Sequence, residues 1–384
     1  MCVERRNSLR WLLLLSLLLP LSLFSQGWQI AYASGMEKQQ LQNAQKWVQV
    51  LQDHWSAWGF SLPAGTGVSL RVVTGENGEA VLELTERSGP EFRIPLEQEN
   101  TADLLYSAAL DMAQWVSLQQ FLAQPGKGKA IPLTFSEHVY EYPGFSDTGA
   151  HFLYVSDRRT GNTNTWIRDM ETGEHFPVVL PELAETFPVL VEGKLFFLQS
   201  GSSYWSLHWM DPWNPTGFPS VEIARGQINC IRSFGGFVFF SEGNVVFRVH
   251  PLTGQKYPEP FCVSPFPIQS FDVSETYVVV SALQDAQFDL SLFHLESQNW
   301  VPLTKTPANE MDVRFSPDRK GVLFSANPQN RFKIHYLGFE SNTVRALSVG
   351  EGDDFYPCFL PSGEGVLFCR YLEKREPILY GVGF

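Results

Sequence analysis

Hydrophobic and polar positions alternate along this chain in two different rhythms. Between residues 37 and 58, Leu41, Ala44, Val48, Leu51, Trp55 and Trp58 recur at three- and four-residue steps, the period of one helix face. Leu70 and Val72, then Leu82 and Leu84, then Phe92, Ile94 and Leu96 alternate with polar neighbours, which predicts three half-buried strands. Asn77-Gly78, between the first two, suits a type I′ hairpin turn, whose central residues both take positive φ. Thr101 is placed to cap a second helix, with Asp103 in its first turn and Pro125-Gly126 at its end. Residues 36–125 therefore read as a small α+β domain, helix on sheet, and residues 126–130 as a linker.

From residue 131 onward the helical period vanishes. Short apolar runs recur instead, separated by Gly, Pro, Asp and Asn. Anchored on Phe145, Leu190, Ile231, Val273, Phe315 and Phe359, the runs repeat at intervals of 45, 41, 42, 42 and 44 residues. A period near 42 with four short strands per unit is that of a β-propeller. The sixth unit reaches Phe384 after only three strands. The stretch IPLTFSEHVYEYPGFS (131–146) parallels VPLTKTPANEMDVRFS (301–316), in which VPLT is an outer strand and VRFS the next inner one. Residues 131–134 are thus expected to supply the missing outer strand of the sixth unit. The fold expected for 131–384 is a six-bladed β-propeller, and the whole chain is mainly β.

The N-terminus changes the picture of where this fold works. Arg5, Arg6 and Arg10 precede the apolar run WLLLLSLLLPLSLF (11–24), and Ala31-Tyr32-Ala33 offers small residues for cleavage before Ser34. Residues 1–33 read as a signal peptide; the run is short against the roughly 20 residues that span a bilayer. Export to the periplasm follows as the expectation, with no membrane-embedded segment after cleavage. The net charge of −13 includes a leader with three Arg and one Glu, so the remainder carries −15. Such a balance opposes binding to nucleic acid, where basic surface supplies the affinity. Four cysteines lie beyond the leader, at 230, 262, 358 and 369, too few for a disulfide scaffold and without zinc-site spacing. Buried free thiols are one reading of them. If any bridge forms, Cys358–Cys369 is the expected one, across the turn at Pro361–Glu364.

The stretch FSDTGAHFLYVSDRRTGNTNTWIRDMETGE (145–174) resembles the repeat of the TolB-like propellers, with Ser146-Asp147, Ser156-Asp157, Gly161-Asn162, Asp169 and Thr172-Gly173 at the characteristic places, and FSPD (315–318) repeats the first of them. The resemblance implies an exported α/β domain followed by six blades, and a role in the cell envelope through binding a protein. The same repeat also occurs in propellers attached to prolyl-oligopeptidase-type hydrolases and in oligogalacturonate-lyase-like enzymes.

Candidate chemistry is sparse. No GxSxG elbow occurs, and Ser202-Ser203 lack its flanks. His208, His250, His294 and His335 are spaced 42, 44 and 41 apart, which marks a repeated third-strand position near that of Asp169, too far from the axis to converge on one ion. No metal or other cofactor is expected. Acids share one phase of the repeat, just before or within the innermost strands: Glu141, Glu185, Asp272, Glu310, Asp312, Asp353 and Asp354. In a ring, shared phase means shared position. These acids are either an acidic mouth that docks a basic partner or ordinary solvated loop charge. Trp213, in WMDPWNPTG (209–217), is either a contact for protein or sugar or a side chain folded back on the protein. The function expected is a non-catalytic envelope scaffold that binds a protein partner through a propeller face. The alternatives are a glycan- or peptidoglycan-binding module, carried by Trp213, and a metal-dependent enzyme with its site at the channel mouth.

Overall fold

A computed structural model describes residues 30–32, 36, 38–58, 60, 68–74, 79–86, 89–96, 98–126, 128–135, 138–158, 162–178, 184–214, 220–251 and 258–384. The fold is mainly β, with a small helical region near the N-terminus. By contacts the chain divides into Met1–Ala113 and Gln114–Phe384, so the boundary falls inside a helix.

The first unit holds β1 (Ile30–Tyr32), α1 (Lys38–Ala57), β2 (Ser69–Thr74), β3 (Ala80–Thr85), β4 (Glu91–Pro95) and the start of α2 (Thr101–Ala123). The three-residue and two-residue periods form the expected elements. Ala44, Val48, Leu51 and Trp55 make the buried stripe of α1, and the Trp55 indole donates to the Ala109 carbonyl at 2.8 Å. Two details differ from expectation. Residues 30–32, inside the expected leader, form β1, which pairs in parallel with β2. The four-stranded sheet therefore includes residues that cleavage before Ser34 would remove. Thr101 does not cap α2: the Asn100 carbonyl accepts the first helical N–H, from Leu104, while the Thr101 hydroxyl donates to the Pro95 and Gln98 carbonyls. The expected Asn77-Gly78 turn, residues 1–29 and the cleavage position at Ala33 lie outside the described residues. Among those described, no helix is long and apolar enough to cross a membrane.

The second unit contains six four-stranded antiparallel sheets in chain order. Sheets 1 to 5 span 141–178, 185–226, 228–263, 268–302 and 310–346. Sheet 6 spans 353–383 and takes β5 (Ile131–Pro132) as its fourth strand. The anchors of the 42-residue period fall one in each first strand. β5 pairs with the last strand, Ile131 opposite Gly381 and Pro132 opposite Tyr380. Leu133 extends the contact by one residue, its N–H donating to the Leu379 carbonyl at 2.8 Å.

Second strands read as unbroken apolar runs (LFF, FVFF, YVVV, GVLF) because both of their faces are covered. Leu195 and Phe197 pack toward sheet 1, with Leu153 and Ile167, while Phe196 and Leu198 pack toward sheet 3, with Ile231 and Phe240. Further clusters join sheets 3 and 4, 4 and 5, and 5 and 6. Another contains Leu367 and Cys369 of sheet 6 with Phe152 and Trp166 of sheet 1. The C-terminal half of α2 joins that cluster through Leu118 and Phe121. Phe121 lies over Gly381, where an added Cβ would sit 2.8 Å from its ring, so the last strand needs glycine at that point.

Candidate functional site

Glu141, Glu185, Glu310 and Asp353 each begin the first strand of a sheet, Asp354 follows Asp353, and Asp312 and Asp272 lie further along theirs; all seven bind neighbouring groups of the protein. Glu185, at the start of sheet 2, is 0% exposed, and its Oε2 accepts the Thr165 N–H of sheet 1 at 2.9 Å. Burial pushes its carboxyl up to about 7. Glu141 of sheet 1 accepts the Tyr371 hydroxyl of sheet 6. Glu310 of sheet 5 accepts the hydroxyls of Thr304 and Thr306, which follow sheet 4. Asp353 accepts the Phe332 N–H at 2.8 Å, and Asp272 accepts the Phe315 N–H at 2.8 Å, each across a sheet boundary.

Asp354 is the most heavily bonded of the set. It is 0% exposed and takes two bonds from Arg370, at 2.7 and 2.8 Å, one from Ser348 at 2.6 Å and an ion pair with Lys333 at 3.4 Å. Asp312 ties three sheets, accepting from Gln269, Ser325 and the Tyr356 N–H, each at 3.3 Å. Burial raises the carboxyls of Glu141, Glu310 and Asp312 as well. Of the seven acids, Glu185, Asp272, Glu310, Asp312 and Asp354 are buried and Glu141 and Asp353 half-buried, and each accepts a hydrogen bond from the protein, as buried polar groups do.

A different feature occupies the middle of the six first strands. All six carry a bulge, and four of the bulged residues have positive φ: Tyr142 at 51°, Phe187 at 52°, Asp312 at 57° and Tyr356 at 55°. Non-glycine residues held there cost of order 1–2 kcal/mol each and need surroundings that fix them. Here the bulges bring side chains of separate sheets together. The Tyr142 ring lies 4.4 Å from that of Phe187 and 4.3 Å from that of Tyr356, centroid to centroid, and the Tyr142 and Tyr356 hydroxyls are 3.4 Å apart.

Beside this aromatic group opens a cavity of about 720 Å³. Each first strand gives it a wall residue: Gly144, Val189, Ser233, Asp272, Arg314 and Cys358. Across it, the Ser233 hydroxyl of sheet 3 donates to Asp147 of sheet 1 at 2.9 Å. A pocket of about 20 Å³ between the cavity and the aromatic group is lined by Arg314 again, with Arg232. Except for Asp272, and Cys358 as a possible disulfide partner, these residues were not singled out by the sequence, although each wall residue lies one or two positions from an anchor of the repeat.

Trp213 is 50% exposed, yet it rests on the rings of His151 and Phe176, at 5.2 and 5.5 Å, in the sheet before its own. Cys230, Cys262, Cys358 and Cys369 are all free thiols. The register set by the turn, with Phe359 opposite Val366, puts Leu367 opposite Cys358, and beyond the bulge Phe355 stands opposite Cys369. The four repeated histidines are of two kinds. His294 pairs with the first residue of its second strand, as Asp169 does, whereas His208 and His335 sit mid-strand, stacked on Phe197 and Phe324. Among the described residues, no group of three or more His, Cys, Asp or Glu could hold a metal ion.

No family model and no curated protein matches the chain. Among solved structures, it is similar to an oligogalacturonate lyase in complex with manganese, at 12% identity and a TM-score of 0.42, over 67% of this chain and 98% of that one. TolB from Acinetobacter baumannii is similar at 11% identity and a TM-score of 0.37, over 94% of both chains. An oligogalacturonate lyase from Vibrio parahaemolyticus is similar at 13% identity and a TM-score of 0.41, over 66% and 92%.

Proposed function

We propose that the six sheets are the blades of a closed six-bladed β-propeller, with β5 completing the last blade, and that this propeller is a non-catalytic scaffold of the cell envelope. In this reading residues 36–125 form a small α+β domain, 126–130 a linker and 131–384 the propeller, exported to the periplasm behind the leader. The partner is an envelope protein that inserts a segment into the central cavity. One observation carries the reading: a cavity of about 720 Å³ takes a wall residue from every first strand. That volume lies in the range of ligand sites, roughly 300–1,000 Å³. The aromatic group at Tyr142, Phe187 and Tyr356 supports entry from the opposite side.

Gly144 allows a direct test. Gly144 is part of the cavity wall and a Cβ built there meets nothing within 4 Å, so a large side chain is expected to be accommodated on the cavity side. Gly144→Trp is expected to leave thermal unfolding unchanged and to remove the partner recovered when the mature protein is used as bait in its own envelope extract. Recovery of the same partner in the same amount would move the interface away from the cavity.

A further inference from the structure

We propose, on the reading that a partner segment enters this cavity, that Arg314 backed by Arg232 is the receptor for a carboxylate on that segment. Arg314 stands on the first strand of sheet 5 and borders both the 720 Å³ cavity and the smaller pocket behind it. Among the described residues its guanidinium makes no hydrogen bond or ion pair, and the charged groups that act on it are Arg232 and Asp272, with the thiols of Cys358 and Cys230. Arg232 is 3% exposed. Its Nη1 donates to the Ile231 carbonyl at 2.7 Å, while its Nε has no partner.

The acids nearby keep their charge, Asp272 partly offsetting Arg314 and Asp312 acting on Arg232, but their oxygens accept from other donors and none reaches the Arg314 guanidinium. Asp272 accepts the N–H groups of Val273 and Phe315, at 2.9 and 2.8 Å, and Asp147 accepts the Ser233 hydroxyl. Two neighbouring guanidiniums in a desolvated place repel each other, and an anion between them and the cavity offsets that repulsion. Burial, and then Arg232, lowers Arg314 to about 10, which still leaves it protonated at neutral pH.

The fork of an Arg matches a carboxylate in two parallel hydrogen bonds. The walls around it favour a peptide as the source. Phe145, Phe234, Phe315, Pro188 and Pro317 surround the approach and suit the side chains of an inserted chain. Arg319, the other cation at the cavity, lies over the Phe234 and Phe315 rings at 5.1 and 5.8 Å.

The test selects randomised hexapeptides, made with either a free or an amidated C-terminus, on the wild-type protein, and measures Kd for the enriched ones. The enriched peptides should carry Asp, Glu or a free C-terminus, and the amidated arm separates side-chain from terminal carboxylates. Arg314→Gln should weaken them by about thirtyfold or more, with partial recovery in Arg314→Lys. Methyl esterification of the same peptide should weaken it equally on the wild type, a measurement that needs no variant to fold. Enriched peptides without a carboxylate would overturn the inference, as would indifference to esterification, or competition by inorganic phosphate stronger than by acetate. If such peptides are still blocked by Gly144→Trp, the cavity reading survives. Binding that ignores both Gly144→Trp and Arg314→Gln overturns both.

Discussion

Asp354→Ala is expected to destabilise the 114–384 unit by about 3–5 kcal/mol, the cost of leaving a buried ion-pair partner uncompensated. The aspartate is fully buried and bridges Arg370 of its own sheet with Ser348 and Lys333 of the preceding one. Removing it strands a guanidinium and an ammonium and leaves the Ser348 hydroxyl without its acceptor. Chemical denaturation followed by tryptophan fluorescence measures the change. A loss below about 1 kcal/mol would place this acid with the solvent-exposed pairs, which contribute that little, and would restore the reading of these residues as surface charge.

The second expected result concerns pH. Folding raises the Glu185 carboxyl from its ordinary 4.5 to about 7, because the group leaves water and only one of its oxygens finds a donor. The folded chain then holds this proton more tightly than the unfolded chain. The stabilisation is complete below about pH 4.5 and is lost as pH rises through 7. At about 1.4 kcal/mol per pH unit, the loss over that interval approaches 3.5 kcal/mol. Glu185→Gln keeps an acceptor for the Thr165 N–H and cannot ionise. It should match the wild type at pH 5 and exceed it by about 3 kcal/mol at pH 8. Glu141, Glu310 and Asp312, also raised by burial, act in the same direction, so the wild type itself should lose stability between pH 5 and 8. Parallel stability curves for wild type and Glu185→Gln across that range would refute the assignment.

Much of the architecture was legible because it repeats. The 42-residue period located six first strands, and the likeness of 131–134 to 301–304 located the strand that completes sheet 6. Phase put Glu141, Glu185, Glu310 and Asp353 at the starts of their first strands, while Asp272 falls next to the last residue of its own, as Arg314 does. What phase does not contain is the neighbour: Glu185 and Glu310 look like rim charges until Thr165, Thr304 and Thr306 are seen beside them. The cavity left a fainter trace. Its wall is made of Gly, Val, Ser, Asp, Arg and Cys, six residue types with no shared chemistry, and only the bulges bring them to one place. A bulge shifts register by a residue, as between Phe355 and Cys358, and so undoes an alternation argument at the point where it matters most. The Cys358–Cys369 pairing is excluded by the turn itself, which sets Phe359 opposite Val366 and so Leu367 opposite Cys358. β1 escaped notice because IAY resembles a cleavage site and is too short to show a period.

The central claim is that the open cavity, and not the rim acids or the first unit, receives the partner. Hydrogen exchange on the complex with the partner recovered from envelope extract tests this most directly. Protection should appear in the turns at the cavity, residues 146–149, 233–236, 316–319 and 360–361, and in little else of the 114–384 unit. Unchanged exchange in those turns, with new protection on the outer strands or within residues 38–113, would contradict it.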